Sequence, residues 1–261
     1  MRLALALAAA IAIAPVAAGQ VALAEDVVPD GFVWLSDVDP TIEQDIRYYG
    51  SHNFLGRPVA GYEAPECILT RAAAEALLAI QAELAQSRLS LKVYDCYRPQ
   101  RAVDDFVAWA DVVEDEATKA EFYPRVDKAD FFDLGYVARK SGHTRGSTVD
   151  VAIVPLGHPG APAYAPGDEL VDCALPANQR FADPTLDFGT GYDCMDEKSH
   201  HGNTAVARVA QGNRLILKDI MDRHGFAPYA EEWWHYTLRS EPFPDTYFDF
   251  PVTARPAAAA E

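Results

Sequence analysis

The sequence predicts an α+β fold: a single domain in which a central antiparallel sheet is flanked by helices. Two observations carry that expectation. Segments with helical apolar spacing and short alternating segments interleave irregularly, without the regular β-α-β-α rhythm of a doubly wound sheet. The apolar and aromatic content of the 261 residues also suffices for one substantial core.

Arg2 followed by the uncharged apolar run Leu3–Ala18 and by Ala22-Leu23-Ala24 before Glu25 matches an export leader with a small-x-small cleavage site. The run is shorter than the ~20 apolar residues of a bilayer span, so residues 1–24 are expected to be removed as a signal peptide. A periplasmic or secreted domain over 25–250 would remain, free of the membrane. Residues 25–66 carry short apolar clusters among Gly, Pro and Asn, as strands and turns do. Thr70 fits an N-cap, and Leu77, Ile80 and Leu84 fall at helical spacing up to Gln86. Leu89, Leu91 and Val93 alternate with polar residues as in a half-buried strand. Pro99 suits the first turn of a helix carrying Ala102, Phe106 and Trp109. Val149, Val151 and Ile153 form another alternating strand, with Asp150 on its opposite face. Pro155 to Pro184 is rich in Pro, Gly and Ala and reads as a long rim insertion. Asn203 is expected to cap a helix ending near His224, with Gly225 as its stop. Trp233–Leu238 is a final strand-like run, and 251–261 an Ala/Pro-rich loose tail.

The formal charge is −17, and loss of Arg2 with the leader makes it one unit more negative. Such a surface repels nucleic acid and anionic lipid. Cys67, Cys96, Cys173 and Cys194 match neither a zinc ribbon nor a CxxC pair; in an oxidising compartment they imply two disulfides, for which three connectivities exist. Pairing Cys67 with Cys96 and Cys173 with Cys194 closes the shortest local loops.

Chemistry concentrates in Ser141-Gly-His-Thr-Arg-Gly-Ser-Thr-Val-Asp150 and Glu231-Glu-Trp-Trp-His235. His143, Asp150 and His235 are ligand types that zinc takes, and three protein ligands leave a fourth position for water. His143 and Asp150 would lie roughly 23 Å apart on an extended chain, so the backbone must reverse between them, and Gly146 can permit that. Glu232 can serve as the proton-transferring base. On an ideal strand it would face away from His235, so a bend is required. Each segment also has a plain structural reading, as a polar loop, a hydrogen-bonding Asp in a strand, or an aromatic core strand.

Together, Ser-x-His-x-x-Gly-x-x-x-Asp and Glu-x-Trp-His resemble the signature of the M15 family of zinc peptidases, in particular its D-alanyl-D-alanine dipeptidase (VanX-like) branch. Asp45-Ile-Arg-Tyr-Tyr with Asn53-Phe-Leu-Gly-Arg-Pro-Val59, Tyr94-Asp-Cys-Tyr-Arg-Pro99, Asp187-Phe-Gly-Thr-Gly-Tyr-Asp193 and Ser199-His-His201 extend the likeness in order over about residues 30–240. The resemblance implies a Hedgehog/D,D-peptidase-like fold and one Zn2+ on His143, Asp150 and His235. It implies Glu232 as base, because the pattern sets Glu three before His and so selects it over Glu231. Arg98 would stabilise the oxyanion, and Ser141 and Asp193 would hold the free ammonium of a small D,D-dipeptide. His200 and His201 are left as supporting or structural groups. Two further readings stand beside this one: a D,D-carboxypeptidase or endopeptidase acting on peptidoglycan stems, and a non-catalytic zinc-binding module. No Gly-x-Ser-x-Gly elbow and no His-Glu-x-x-His pair is present. No feature sets the oligomeric state.

Overall fold

The computed structural model describes residues 27–256, so the expected leader lies outside the described residues. Among the described residues, seven strands and five α-helices follow in chain order: β1 (Phe32–Trp34), α1 (Leu35–Val38), β2 (Glu43–Gln44), β3 (Ile68–Thr70), α2 (Arg71–Ala85), β4 (Leu89–Asp95), α3 (Gln100–Ala110), α4 (Lys119–Phe122), β5 (Thr148–Pro155), α5 (Arg208–Arg223), β6 (Phe226–Pro228) and β7 (His235–Leu238). β1 and β3 form a small antiparallel pair, and the main sheet has the order β2-β4-β5-β7-β6.

The α+β architecture is as expected, with one correction: the main sheet is mixed. β2 runs parallel to β4, while β4–β5, β5–β7 and β6–β7 are antiparallel. The chain leaves β2, passes through β3 and α2, and returns in its original direction, as a crossover does. Thr70 caps α2 through its side-chain oxygen, which accepts from Ala73 N–H. Ala73, Ala74, Leu77, Ile80 and Leu84 enter the core from α2. Pro99 stands one position ahead of α3 as its cap.

The central strands are buried on both faces, where half-burial was expected. Ser90 and Lys92 are enclosed with Leu91 and Val93. Their polar atoms have partners: the Ser90 hydroxyl lies 2.9 Å from Gln81 Nε2. Lys92 Nζ meets Asp45 at 2.9 Å and Asp183 at 3.1 Å. Asp183 belongs to the Pro/Gly-rich stretch, so that stretch covers part of the sheet instead of only lining its rim. Asn203 does not cap α5. Its side chain accepts from Ala205 N–H in a local turn, and α5 starts only at Arg208, with Ala207 at its cap position. Asx turns and helix caps share the same local chemistry, which makes them alike in sequence. Gly225, with φ +90°, does follow the helix end.

The packed body also extends past residue 250. Val252 is fully buried and bridges to Tyr62, and Trp34 Nε1 donates to the Thr253 carbonyl at 3.1 Å. The remainder of the expected tail, 257–261, lies outside the described residues. Both expected disulfides, Cys67–Cys96 and Cys173–Cys194, are formed. Among the described residues no helix is long and apolar enough to cross a membrane.

Candidate metal centre and active-site cavity

The main-sheet ladder builds one corner of the site. Asp150 on β5 pairs directly with His235 on β7 and with Asp95 on β4. Directly paired residues share a face, so these three side chains project together. For Asp95 this needs an irregularity. Val93 pairs with Val151, on the other face, and the register then slips so that Asp95 pairs with Asp150. One extra residue, a β-bulge, thus turns Asp95 onto the face of Asp150.

His143 arrives from the short 3-10 turn Gly142–Arg145. Gly146 then reverses the chain into β5, with φ +82°; a Cβ there would stand 2.1 Å from the Phe32 ring. Only glycine satisfies both demands. The His143 imidazole is oriented by its Nδ1, 2.7 Å from the Cys96 carbonyl. A carbonyl can only accept, so Nδ1 carries the proton and Nε2 presents its lone pair toward Asp150 and His235. The bend required between Glu232 and His235 is also present: Glu232 lies in a turn ahead of β7, which begins at His235. Glu232 Oε2 stands 3.4 Å from His235 Nδ1.

Three atoms converge at this corner. His143 Nε2 is 3.3 Å from His235 Nδ1 and 3.3 Å from Asp150 Oδ1, and Asp150 Oδ1 is 3.2 Å from His235 Nδ1. Donors on a tetrahedral zinc, with bonds of about 2.0–2.1 Å, lie about 3.3–3.4 Å from one another. Asp150 Oδ1 is moreover buried without a hydrogen-bond partner among the described residues. Burying a carboxylate oxygen unpaired is costly; a cation at the centre of the triangle would satisfy it. The donor set therefore fits a divalent metal. Burial opposes ionisation of Asp150, but positive charge at the corner it shares with His143 and His235 outweighs burial and holds the carboxyl below the usual range. Its other oxygen, Oδ2, accepts from the Tyr192 hydroxyl at 3.0 Å.

A cavity of about 310 Å3 opens onto this corner, lined among others by Arg98, Ser141, Asp193 and Glu232. All the sequence-predicted chemical residues thus meet in one place. Arg98 is clamped: its Nε and one terminal nitrogen meet Asp95 Oδ2 at 2.9 and 2.8 Å. Its guanidinium packs over the rings of Tyr48 and Phe106. Asp193 is buried, accepts from the Tyr48 hydroxyl at 2.8 Å, and adopts φ +55°. Burial, and then the charge of Asp150, push its carboxyl well above the ordinary value. Ser141 Oγ accepts from His143 N–H at 3.3 Å, capping the turn. Burial, then the charge of Asp150, raises Glu232 to about 8.

His200 and His201 are not among the converging residues. His201 packs edge-on against Tyr236, and burial depresses its imidazole to about 4. Three residues with clear positions at the site, Asp95, Tyr48 and Tyr192, were not singled out from sequence. Each lies inside a segment that carries the family likeness, which was the available signal.

Comparison with known proteins agrees with this geometry. A peptidase M15 family model, described as D-ala-D-ala dipeptidase, matches residues 29–161 and 179–253. Its break, 162–178, falls within the Pro/Gly-rich stretch. The chain is 41% identical to a D-alanyl-D-alanine dipeptidase of Streptomyces coelicolor over 221 residues, 85% of this chain and 98% of that one. It is 38% identical to an Enterococcus faecalis D-alanyl-D-alanine dipeptidase, covering 86% and 99% of the two chains, and 37% identical to one of Enterococcus faecium, covering 85% and 98%.

Proposed function

The chain belongs to the M15 peptidase family of D-Ala-D-Ala dipeptidases, and from that premise we propose that it hydrolyses D-alanyl-D-alanine with one zinc ion held by His143, Asp150 and His235. The supporting observation is the meeting, in one cavity, of a three-donor corner, a raised carboxyl at Glu232, a clamped cation at Arg98 and a buried carboxyl at Asp193. When bound, zinc would supply Lewis acidity for the scissile carbonyl and for a water molecule.

Glu232 takes a proton from the attacking water on its carboxylate and delivers it to the leaving amine nitrogen. Its place beside the metal corner, 3.4 Å from His235 Nδ1, puts one carboxyl within reach of both transfers. Arg98 presents fixed positive charge to the oxygen on which negative charge develops. Because Asp95 and two aromatic rings already hold it, no reorganisation is needed at the moment of reaction. Asp193 receives the free ammonium of the substrate. Alone in its buried position this carboxyl favours the neutral form, so an arriving ammonium restores its charge and is paired by it. Ser141 Oγ has a second lone pair for the same ammonium, since only one is used by His143 N–H. A substrate blocked at its amine would bring Asp193 no counter-charge, which is the basis of selection for free dipeptides.

The leader-like first 24 residues and two disulfides support export, with work on D-Ala-D-Ala released from peptidoglycan. The test is release of free D-alanine from D-Ala-D-Ala by the purified mature protein. A chelator should abolish release and stoichiometric zinc should restore it; a folded, zinc-loaded protein that releases none contradicts the reading.

A further inference from the structure

Residues 162–178, which the family match leaves out, reach the active-site cavity through a covalent bond. Cys173 is joined to Cys194, and Cys194 lines the cavity directly after Asp193. Other contacts repeat the attachment. Gly191 N–H donates to the Cys173 carbonyl at 2.8 Å, and Lys198 Nζ donates to the Ala174 carbonyl at 3.2 Å. Arg125 pairs with both oxygens of Asp172, at 2.5 and 2.9 Å, and also with Asp196. Residues 172–174 therefore grip the chain on both sides of Asp193. Asp193 itself holds a left-handed backbone conformation, uncommon for a residue with a side chain although Asp tolerates it better than most.

We propose that residues 172–174, within the stretch the family match leaves out, are a specificity element, and that the Cys173–Cys194 bond is a positioning device holding Asp193 against the substrate ammonium. The inference rests on the amine-binding role given to Asp193 above. None of these contacts involves His143, Asp150 or His235, whose positions come from β5, β7 and the turn before β5. Loss of the bond should therefore alter which substrate is selected and leave the metal corner in place.

The test compares zinc-loaded wild type, the double variant C173S/C194S and R125Q on D-Ala-D-Ala and on N-acetyl-D-Ala-D-Ala. In C173S/C194S, KM for the free dipeptide is expected to rise about tenfold, as when a charged hydrogen bond is weakened. kcat and zinc content should stay near wild type, and the preference for the free over the acetylated dipeptide should shrink by a similar factor. R125Q, at a part-exposed side chain, should move KM the same way by less. A folded C173S/C194S with wild-type KM and preference overturns the proposal, as does one that loses kcat or zinc instead. Should C173S/C194S fail to fold, R125Q decides, and an unmoved KM there overturns it. Wild type inactive on both substrates would overturn the dipeptidase reading and this inference with it. Wild-type dipeptidase activity with unmoved variants overturns the inference alone.

Discussion

His235 and Asp150 face each other across a β-ladder, whereas Asp193 sits on a loop that other parts of the chain must tie down. In the first region the spacing of the donor atoms follows from strand register, with Gly146 and the Cys96 carbonyl fixing the third donor. In the second, position is imposed from outside. Arg214, buried on α5, donates to the carbonyls of Phe188, Lys198 and His200. Cys173 and Arg125 bind the same stretch from another side. Backbone pairing gives precision where chemistry needs it, while tethered loops give a wall whose selectivity can change without disturbing the metal corner.

That contrast can be broken most severely at Glu232. Glu232→Gln should keep its zinc yet lose turnover by roughly 10³–10⁴-fold, since only proton transfer is removed; zinc content and D-alanine release measured together check this. In wild type, kcat/KM should rise with pH as Glu232 ionises, because only the carboxylate accepts a proton. Bound zinc, being positive, pulls that ionisation down from about 8 toward the ordinary range, and the limb should vanish in Glu232→Gln. Next in size, Arg98→Gln should lower kcat by about 10²–10³-fold with the metal retained, as loss of an oxyanion partner does.

Across the cavity, Asp193→Asn should act mainly on KM. A charged hydrogen bond of about 1.5–3 kcal/mol corresponds to a rise of about 10- to 100-fold, and discrimination against an acylated amine should fall with it. The smallest effect is expected at Tyr192→Phe. Removing the hydroxyl that holds Asp150 Oδ2 should weaken zinc binding about tenfold, read by competition with a chromophoric chelator, while the zinc-saturated enzyme turns over normally.

The same division explains what the sequence made legible. His143, Asp150, Glu232 and His235 lie in two short segments, so their residue types and spacing were visible, and the structure brings them together. Tyr192 and Asp95 owe their places to contacts across strands and to a bulge, which no local pattern records. The alternation of Leu89, Leu91 and Val93 implies a solvent-facing side for β4, whereas Lys92 on that side is buried against Asp183, 91 positions away. The two-residue strand β2 is too short to announce a parallel pairing, and Asn203 made a turn with the chemistry of a cap. Helix α2 was read to within a residue because its cap and its apolar stripe are both local.

The most direct test of the account is the ratio of kcat/KM for D-Ala-D-Ala to that for N-acetyl-D-Ala-D-Ala on the zinc-loaded wild-type protein. Efficient cleavage of the free dipeptide and little or none of the acetylated one is expected, because Asp193 must find an ammonium. Equal cleavage of both would contradict it, leaving the metal corner intact but removing the amine-reading wall from the function.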